Sequence, residues 1–483
     1  MTAVIFLCAV LGVLSQGVHL SEAEGINARH VTQTKLFGDD IKAWVTPYEG
    51  FLATENTPVY GLVEKPKNSV NDTGYQIIEH KDAMKNVIAY LRESKPDAIT
   101  KPSNKPPSVN QATNTVVENA IPEEPTRPKT MQELNREMME MLKKDNPRLN
   151  PILATIPRTT PKPFVPYPSI VYPEILVIVD NALFKTLGSN VRDIVAHILA
   201  FWNGVDFLYR NLESPKFRFN VEAILIIEAP EGFTRLEYAP NKIDANQIPY
   251  TIGEWLYHYQ SAFPIDSYDV AVLMTSNDLI SRTNEKKLGG IAYSTGACKT
   301  LHESKLVAKT TAVTETGDFH GIRNMAHELG HSFGIANHDG EGDNKGCPMT
   351  DGTIMGPTTG NVGPKYYEWS QCSLNDLTQS FIDGNLLCLY NEIYEEGAAV
   401  PRLLPGKIAD LDKQCDVREA KTTSVVNENN CKEYICRTEE KSDGTYEQTT
   451  WPVGPADGSS CGQGKMCLLG NCVQENLIND SGA

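Results

Sequence analysis

The stretch His327-Glu328-Leu329-Gly330-His331-Ser332-Phe333-Gly334-Ile335-Ala336-Asn337-His338-Asp339 decides how the rest of the chain reads. Two histidines four residues apart on a helix lie one turn apart on one face, so their rings can converge on one ion. Zinc suits such nitrogen donors and demands no special geometry of them. Glu328 adjoins the first histidine, where a carboxylate can take a proton from water at the metal. Gly334 lets the chain leave the helix through a left-handed turn, which few other residues tolerate. That turn returns His338 as a third ligand. Three protein ligands leave one position open, the arrangement of a catalytic rather than a structural zinc. A His-Glu-x-x-His run alone also describes a solvated helix face. Gly334, His338 and the downstream Met355 together make that reading a poor one.

This stretch resembles the extended zinc motif of the metzincins, and Asp339 after the third histidine points to their adamalysin (reprolysin) branch. The resemblance implies His327, His331 and His338 as zinc ligands and Glu328 as the catalytic base. In one respect the chain departs from the pattern. The family has two residues between its glycine and third histidine, whereas here there are three, Ile335, Ala336 and Asn337. Strict counting puts Asn337 in the ligand slot. Asparagine is a poor zinc ligand, and the His-Asp pair survives as His338-Asp339, so a one-residue bulge with His338 bound is the expectation.

The chain has 483 residues, a prior of about three domains. Its net charge of -17 and pI near 5.1 argue against nucleic-acid binding, which needs a basic footprint. Ala3 to Leu14 is an apolar run of signal-peptide length, too short to span a bilayer, and Ser15-Gln16-Gly17 offers a small-x-small cleavage site. No later segment is long and apolar enough to anchor the chain. Of 11 cysteines, Cys8 would leave with the signal, and the other ten all lie from Cys298 onward. An even number suits disulfides in an oxidising compartment. Asn71-Asp72-Thr73 and Asn479-Asp480-Ser481 are glycosylation sequons at Asn71 and Asn479.

Residues 18–94 carry patchy apolar segments, such as Val87, Ile88, Ala89 and Leu91. Residues 95–128 are rich in Pro, Asn, Thr, Lys and Glu and read as linker. Met131 to Lys144 has a helical stripe of Leu134, Met138 and Leu142, and 146–168 is again Pro-rich and extended. From Tyr172 the character changes. Ile175 to Val179, Ile224 to Ile227 and Val270 to Met274 are continuous apolar runs, as buried strands require. Val191, Ile194, Val195, Ile198 and Trp202 recur at helical spacing. Strands alternating with helices predict an α/β domain around a mixed sheet.

Tyr172 to Asp180 and Phe201 to Asp206 also resemble adamalysin-type domains, particularly those of secreted tick salivary proteases; the likeness covers about residues 169–395. It implies a metzincin catalytic domain with a mixed, mostly parallel sheet and a zinc-binding active-site helix. Gly290, Ile291 and Ala292 resemble the family's edge strand beside the cleft, which can pair with an extended peptide over the metal. An ordinary sheet edge is the plainer reading. Met355, in Thr353-Ile354-Met355-Gly356-Pro357, resembles the Met-turn, a core methionine placed under the ligands. The resemblance pairs Cys298 with Cys388 and Cys347 with Cys372; spacing alone leaves three pairings open. It also implies calcium as a second ion, on Glu174, Asp269, the Cys388 carbonyl and Asn391. Oxygen ligands suit calcium, and ordinary solvated or ion-paired acids are the other reading.

Cys415, Cys431, Cys436, Cys461, Cys467 and Cys472 lie in sequence with little apolar content, which needs disulfides to hold a fold. Pro455 to Cys472 resembles the cysteine-rich module of ADAMTS proteases, and a zinc knuckle is the competing reading. The expected organisation is therefore a signal peptide (1–17), a propeptide with a disordered linker (18–165), a reprolysin-like zinc metalloprotease domain (166–395) and a disulfide-rich domain (396–483). The expected product is a secreted monomeric zymogen without membrane anchor that hydrolyses peptide bonds of extracellular matrix or plasma proteins. Its latency is not legible: residues 18–297 hold no cysteine to cap the metal, and Phe37-Gly38-Asp39 has the wrong spacing for an aspartate switch. Lys143-Lys144 and Arg158 are weak processing sites. A different class of reading is an inactive secreted toxin or decoy that binds host matrix or receptors through its cysteine-rich module. The extra residue before His338 speaks for it, and the intact Glu328 against it.

Overall fold

The computed structural model describes residues 52–64, 75–93, 168–229, 237–356, 363–391, 397–418, 422–425, 431–438, 440–442, 444–451 and 453–475. The expected signal peptide, both sequons, the linker and the helix at 131–144 lie outside the described residues.

The three apolar runs become adjacent parallel strands: β3 (Glu174–Val179), β4 (Asn220–Ile227) and β5 (Val270–Thr275). Runs this apolar need cover on both faces, and helices supply it. On one face lies α3 (Val191–Tyr209), opened by Asn190, whose side chain accepts from Asp193 N. On the other lies α4 (Ile248–His258). A short helix α2 (Asn181–Thr186) leaves β3 and is capped by the Asp180 side chain, which accepts from Leu183 N at 2.8 Å.

The sheet has seven strands. Beside β1 (Val59–Glu64), β2 (Tyr75–Glu79) and the three above stand β6 (Gly290–Ala292) and β7 (Thr310–Thr314), in the order β6-β7-β5-β3-β4-β1-β2. The four inner pairings from β7 to β1 are parallel, and both outer pairs are antiparallel. The sheet is thus mixed and mostly parallel. Two of its strands come from residues expected to be prosegment: β1, β2 and the helix α1 (Ala83–Glu93) extend the central sheet beyond β4. An isolated strand's alternation names no partner, so sequence alone could not dock it.

The metal-motif helix α5 (Gly321–Ser332) packs between α3 and β7, and a last helix α6 (Gln371–Ile382) closes the domain. Ser370 caps α6 by accepting from Ser373 N. Beyond residue 397 two small antiparallel three-stranded sheets follow, Thr422–Val425 with Tyr434–Thr438 and Gln448–Trp451, then Ser460–Gly462 with Lys465–Leu468 and Asn471–Gln474. Cys415–Cys436, Cys431–Cys467 and Cys461–Cys472 disulfides staple them. In the larger domain the bridges are Cys298–Cys388 and Cys347–Cys372. No helix among the described residues is long and apolar enough to cross a membrane.

Candidate metal centre

His327 and His331 lie on one face of α5 with ring centroids 4.8 Å apart. The helix ends at Phe333, and Gly334 takes φ +110°, a conformation that strains any side chain. The Ile335 amide then donates back to the Gly330 carbonyl at 2.9 Å, closing the turn. Ala336 is exposed, and the Asn337 carbonyl accepts from Asn344 Nδ2 at 3.1 Å. The Asn337 side chain lies against Gly342. The structure brings His338, not Asn337, to the pair: its ring centroid is 5.1 Å from both partners. One ligand atom from each of the three rings lies within 4.8 Å of the other two.

The Nδ1 atoms show which nitrogens are free. His327 Nδ1 donates to the Ile354 carbonyl at 2.8 Å and His331 Nδ1 to the Ile335 carbonyl at 2.7 Å. His338 Nδ1 donates to Glu341 Oε2 at 3.0 Å. A carbonyl or carboxylate can only accept, so each ring carries its proton on Nδ1 and leaves Nε2 for an ion. Burial drives the His327 proton affinity down, and burial lowers His331 to about 4. Three imidazoles held in this way fit zinc.

Glu328 is buried, and burial alone pushes its carboxyl up to about 8. It packs directly under the edge strand. A Cβ built on Gly290 would lie 2.5 Å from Glu328 Cγ, so this position must be glycine for the carboxylate and β6 to meet. Gly290, Ile291 and Ala292 pair antiparallel with Val313, Ala312 and Thr311 of β7, and β6 ends the sheet on its other side.

Met355 is fully buried, and its sulfur lies against Gly330 of α5, 2.7 Å from where a Cβ would stand. The turn that carries it is tied in several ways. Asp339 N donates to the Met355 carbonyl at 3.1 Å, and the buried Asp339 carboxylate accepts from Thr353 and from Ser370 at 2.6 Å. The His338 loop, the Met355 turn and α6 thus meet on one carboxylate.

Two contributors escaped the reading of the sequence. Arg323 sits one turn before His327, and its buried guanidinium donates to the carbonyls of Gly352, Thr353 and Tyr366. An arginine on the same helical stripe, 323, 327, 331, was the available signal. The other is Glu341, three residues after His338.

Away from this centre, Glu174, Asp269, Cys388 and Asn391 also come together. Asn391 Nδ2 donates to Glu174 Oε2 at 2.7 Å, and Glu174 N donates to Asp269 Oδ2 at 2.9 Å. Cys388 is bridged to Cys298, whose amide donates to the Asp269 carbonyl. Burial, with the Glu174 charge added, raises Asp269 to about 7. Glu222, absent from the expected set, is raised to about 7 by burial and by Glu174. The sulfurs of Cys431, Cys461 and Cys472 also cluster, but each is in a disulfide, so they form no zinc knuckle.

Residues 171–392 match the Reprolysin (M12B) family zinc metalloprotease, and residues 405–473 match the ADAMTS cysteine-rich domain 2. An insect relative, "A disintegrin and metalloproteinase with thrombospondin motifs like" of Bombyx mori, is 32% identical over 65% of this chain and 46% of its own length. Venom metalloproteinase 2 of Eulophus pennicornis is 31% identical over 41% of this chain and 48% of its own. "A disintegrin and metalloproteinase with thrombospondin motifs 18" of Mus musculus is 30% identical over 62% of this chain and 23% of its own. The chain thus spans less than half the length of each of these relatives. Residues 171–392 belong to the reprolysin (M12B) family of zinc metalloproteases, and an ADAMTS-type cysteine-rich domain follows them at 405–473.

Proposed function

We propose that this chain is a zinc-dependent endopeptidase that is secreted, made as a zymogen, and acts on extracellular proteins. The observation that carries this reading is the convergence of one ring nitrogen from each of His327, His331 and His338, with the neighbouring Glu328 packed under the edge strand β6. Zinc, when bound, supplies a Lewis acid that acidifies a water to a pKa of about 7 and polarises a carbonyl. His327, His331 and His338 hold the ion. Glu328 accepts a proton from the attacking water and passes it to the leaving amine. An extended substrate would run along β6, its backbone paired as an added strand, which sets the scissile bond beside Glu328. The ten cysteines joined in five bridges support an oxidising, extracellular compartment. The acids Glu174, Asp269 and Glu222 with Asn391 and the Cys388 carbonyl support a structural calcium.

The test is metal content together with chelator-sensitive casein hydrolysis, in the wild type and in Glu328→Ala. The variant should keep its zinc and its fold and lose hydrolysis by several orders of magnitude. Near-normal turnover in it would sink the assignment.

A further inference from the structure

β1 and α1 do not lie on the proposed cleft. Five strand spacings separate β6 from β1, about 24 Å across the sheet. At that far edge the N-terminal segment is built into the domain. Val59, Tyr60, Gly61 and Leu62 pair in parallel register with Ile224, Leu225, Ile226 and Ile227. The Ile224 amide donates to the Pro58 carbonyl at 3.0 Å and the Glu228 amide to the Leu62 carbonyl at 3.1 Å. Upstream, the Val221 amide donates to Leu52 O at 2.7 Å, and the Val400 amide to Ala53 O at 3.0 Å. Met84, Val87, Ile88 and Leu91 of α1 are buried in the same apolar core as α3. The Arg192 guanidinium lies 4.6 Å over the Tyr90 ring. His80 and Glu228 pair at 2.7 Å, closing over Gly61, where a Cβ would lie 2.3 Å from the carboxylate.

Without this segment β4 would be an edge strand, its amides and the apolar face beneath α1 open to water. Residues 94–167, by contrast, are rich in proline and polar residues, and carry Lys143-Lys144 and Arg158. Residues 18–297 contain no cysteine, so no disulfide can tie the segment down.

We propose that residues 52–93 are a permanent, noncovalent part of the protease domain. Cutting the chain within 94–167 leaves a two-chain protein whose N-terminal fragment completes the central sheet as its β1 and β2 strands. The partner surface is the outer edge of β4 together with the face of α3, and its occupant is this chain's own segment 52–93. Processing of the zymogen then removes a tether and not the segment. The proposal goes beyond the endopeptidase reading and does not depend on it, because its readout is association.

The experiment places a site for a sequence-specific protease between residues 101 and 128 of the full chain, cuts it, and follows both fragments. The two should co-elute on gel filtration in buffer and separate in concentrated guanidinium. In the cut protein the amides of Ile224 and Glu228 should keep their protection from hydrogen exchange. Leu62→Asp with Val87→Asp, introduced in the same chain, should release the fragment after cutting. Elution of the wild-type fragment alone in buffer would overturn the proposal. So would co-elution with unprotected Ile224 and Glu228 amides, which would place the fragment elsewhere. Retention of the doubly substituted fragment would overturn the assigned surface.

Discussion

At the scale of single residues, the centre turns on how His338 joins His327 and His331 after a loop one residue longer than the family pattern. Ala336 takes the extra length at the surface, and Asn337 is held by Asn344 and turned toward Gly342. His338→Ala should therefore lose zinc and activity together, whereas Asn337→Ala should retain both. Zinc stoichiometry and peptide hydrolysis in the two variants decide it; full zinc and full activity in His338→Ala would reject His338 as the third ligand. The same loop returns Glu341 to His338 Nδ1, while the other two histidines lean on backbone carbonyls. A carboxylate there orients the ring and makes it a better donor. Glu341→Ala should weaken zinc binding by about 10- to 100-fold, read by competition with a chromogenic chelator. Unchanged affinity would show that the loop alone orients the ring. Of these residues His327, Glu328 and His331 were legible at once, because helical geometry alone places them. Glu341 was hidden, because its role needs the bulge to bring it back.

At the scale of elements, the joint between β3 and α2 depends on Asp180. Its carboxylate caps α2 and accepts from Thr275 Oγ1 at 2.5 Å, while burial pushes it from 3.8 up to about 6. The folded protein thus holds this proton more tightly than the unfolded chain. The stabilisation from that proton is fully present below pH 3.8 and is lost as pH rises through about 6. Relative to Asp180→Asn, the wild type should lose at most about 3 kcal/mol of stability across this window. Urea unfolding of both proteins at a series of pH values measures the difference. A flat difference would mean that Asp180 titrates alike in both states. The strand β3 itself was legible as an apolar run. Its neighbours were not, because a run buried on both faces has no side that names its place in the order.

At the scale of the whole molecule, the segment after residue 397 is clamped to α3. Arg402 Nη1 donates to Asp206 Oδ2 at 2.8 Å and to Asn203 Oδ1 at 3.2 Å, and Asn203 Nδ2 donates to the Leu403 carbonyl at 2.9 Å. Asp206 is fully buried, with Arg210 and the Phe219 amide among its other partners. Arg402→Ala removes one charged hydrogen-bond partner of a buried carboxylate, which costs about 2 kcal/mol. Thermal unfolding should show that loss, while zinc content stays at the wild-type level because the clamp bonds to none of the three histidines. Wild-type stability in the variant would remove the clamp from the account. Beyond it, the cysteine-rich module meets the protease domain at Tyr367, whose ring lies against Gly470 and whose hydroxyl lies against Gly454.

The sequence by itself determined what short-range geometry controls. The spacing of His327 and His331 sets a shared helical face, and the φ that Gly334 alone tolerates ends the helix. Uninterrupted apolar runs demand burial on two sides, and cysteines in a chain segment too polar for a core demand bridges. Only the tertiary structure decided which distant groups meet. Val59-Tyr60-Gly61-Leu62 reads as a strand wherever it docks, and only its register on β4 makes it part of the protease sheet. Arg323 becomes a tie to the Met355 turn, and Glu222 a member of an acidic cluster, only once the chain between them has folded. The physical reason is the same throughout: local backbone preference is written in neighbouring residues, whereas partner choice is settled by packing between segments far apart in the chain.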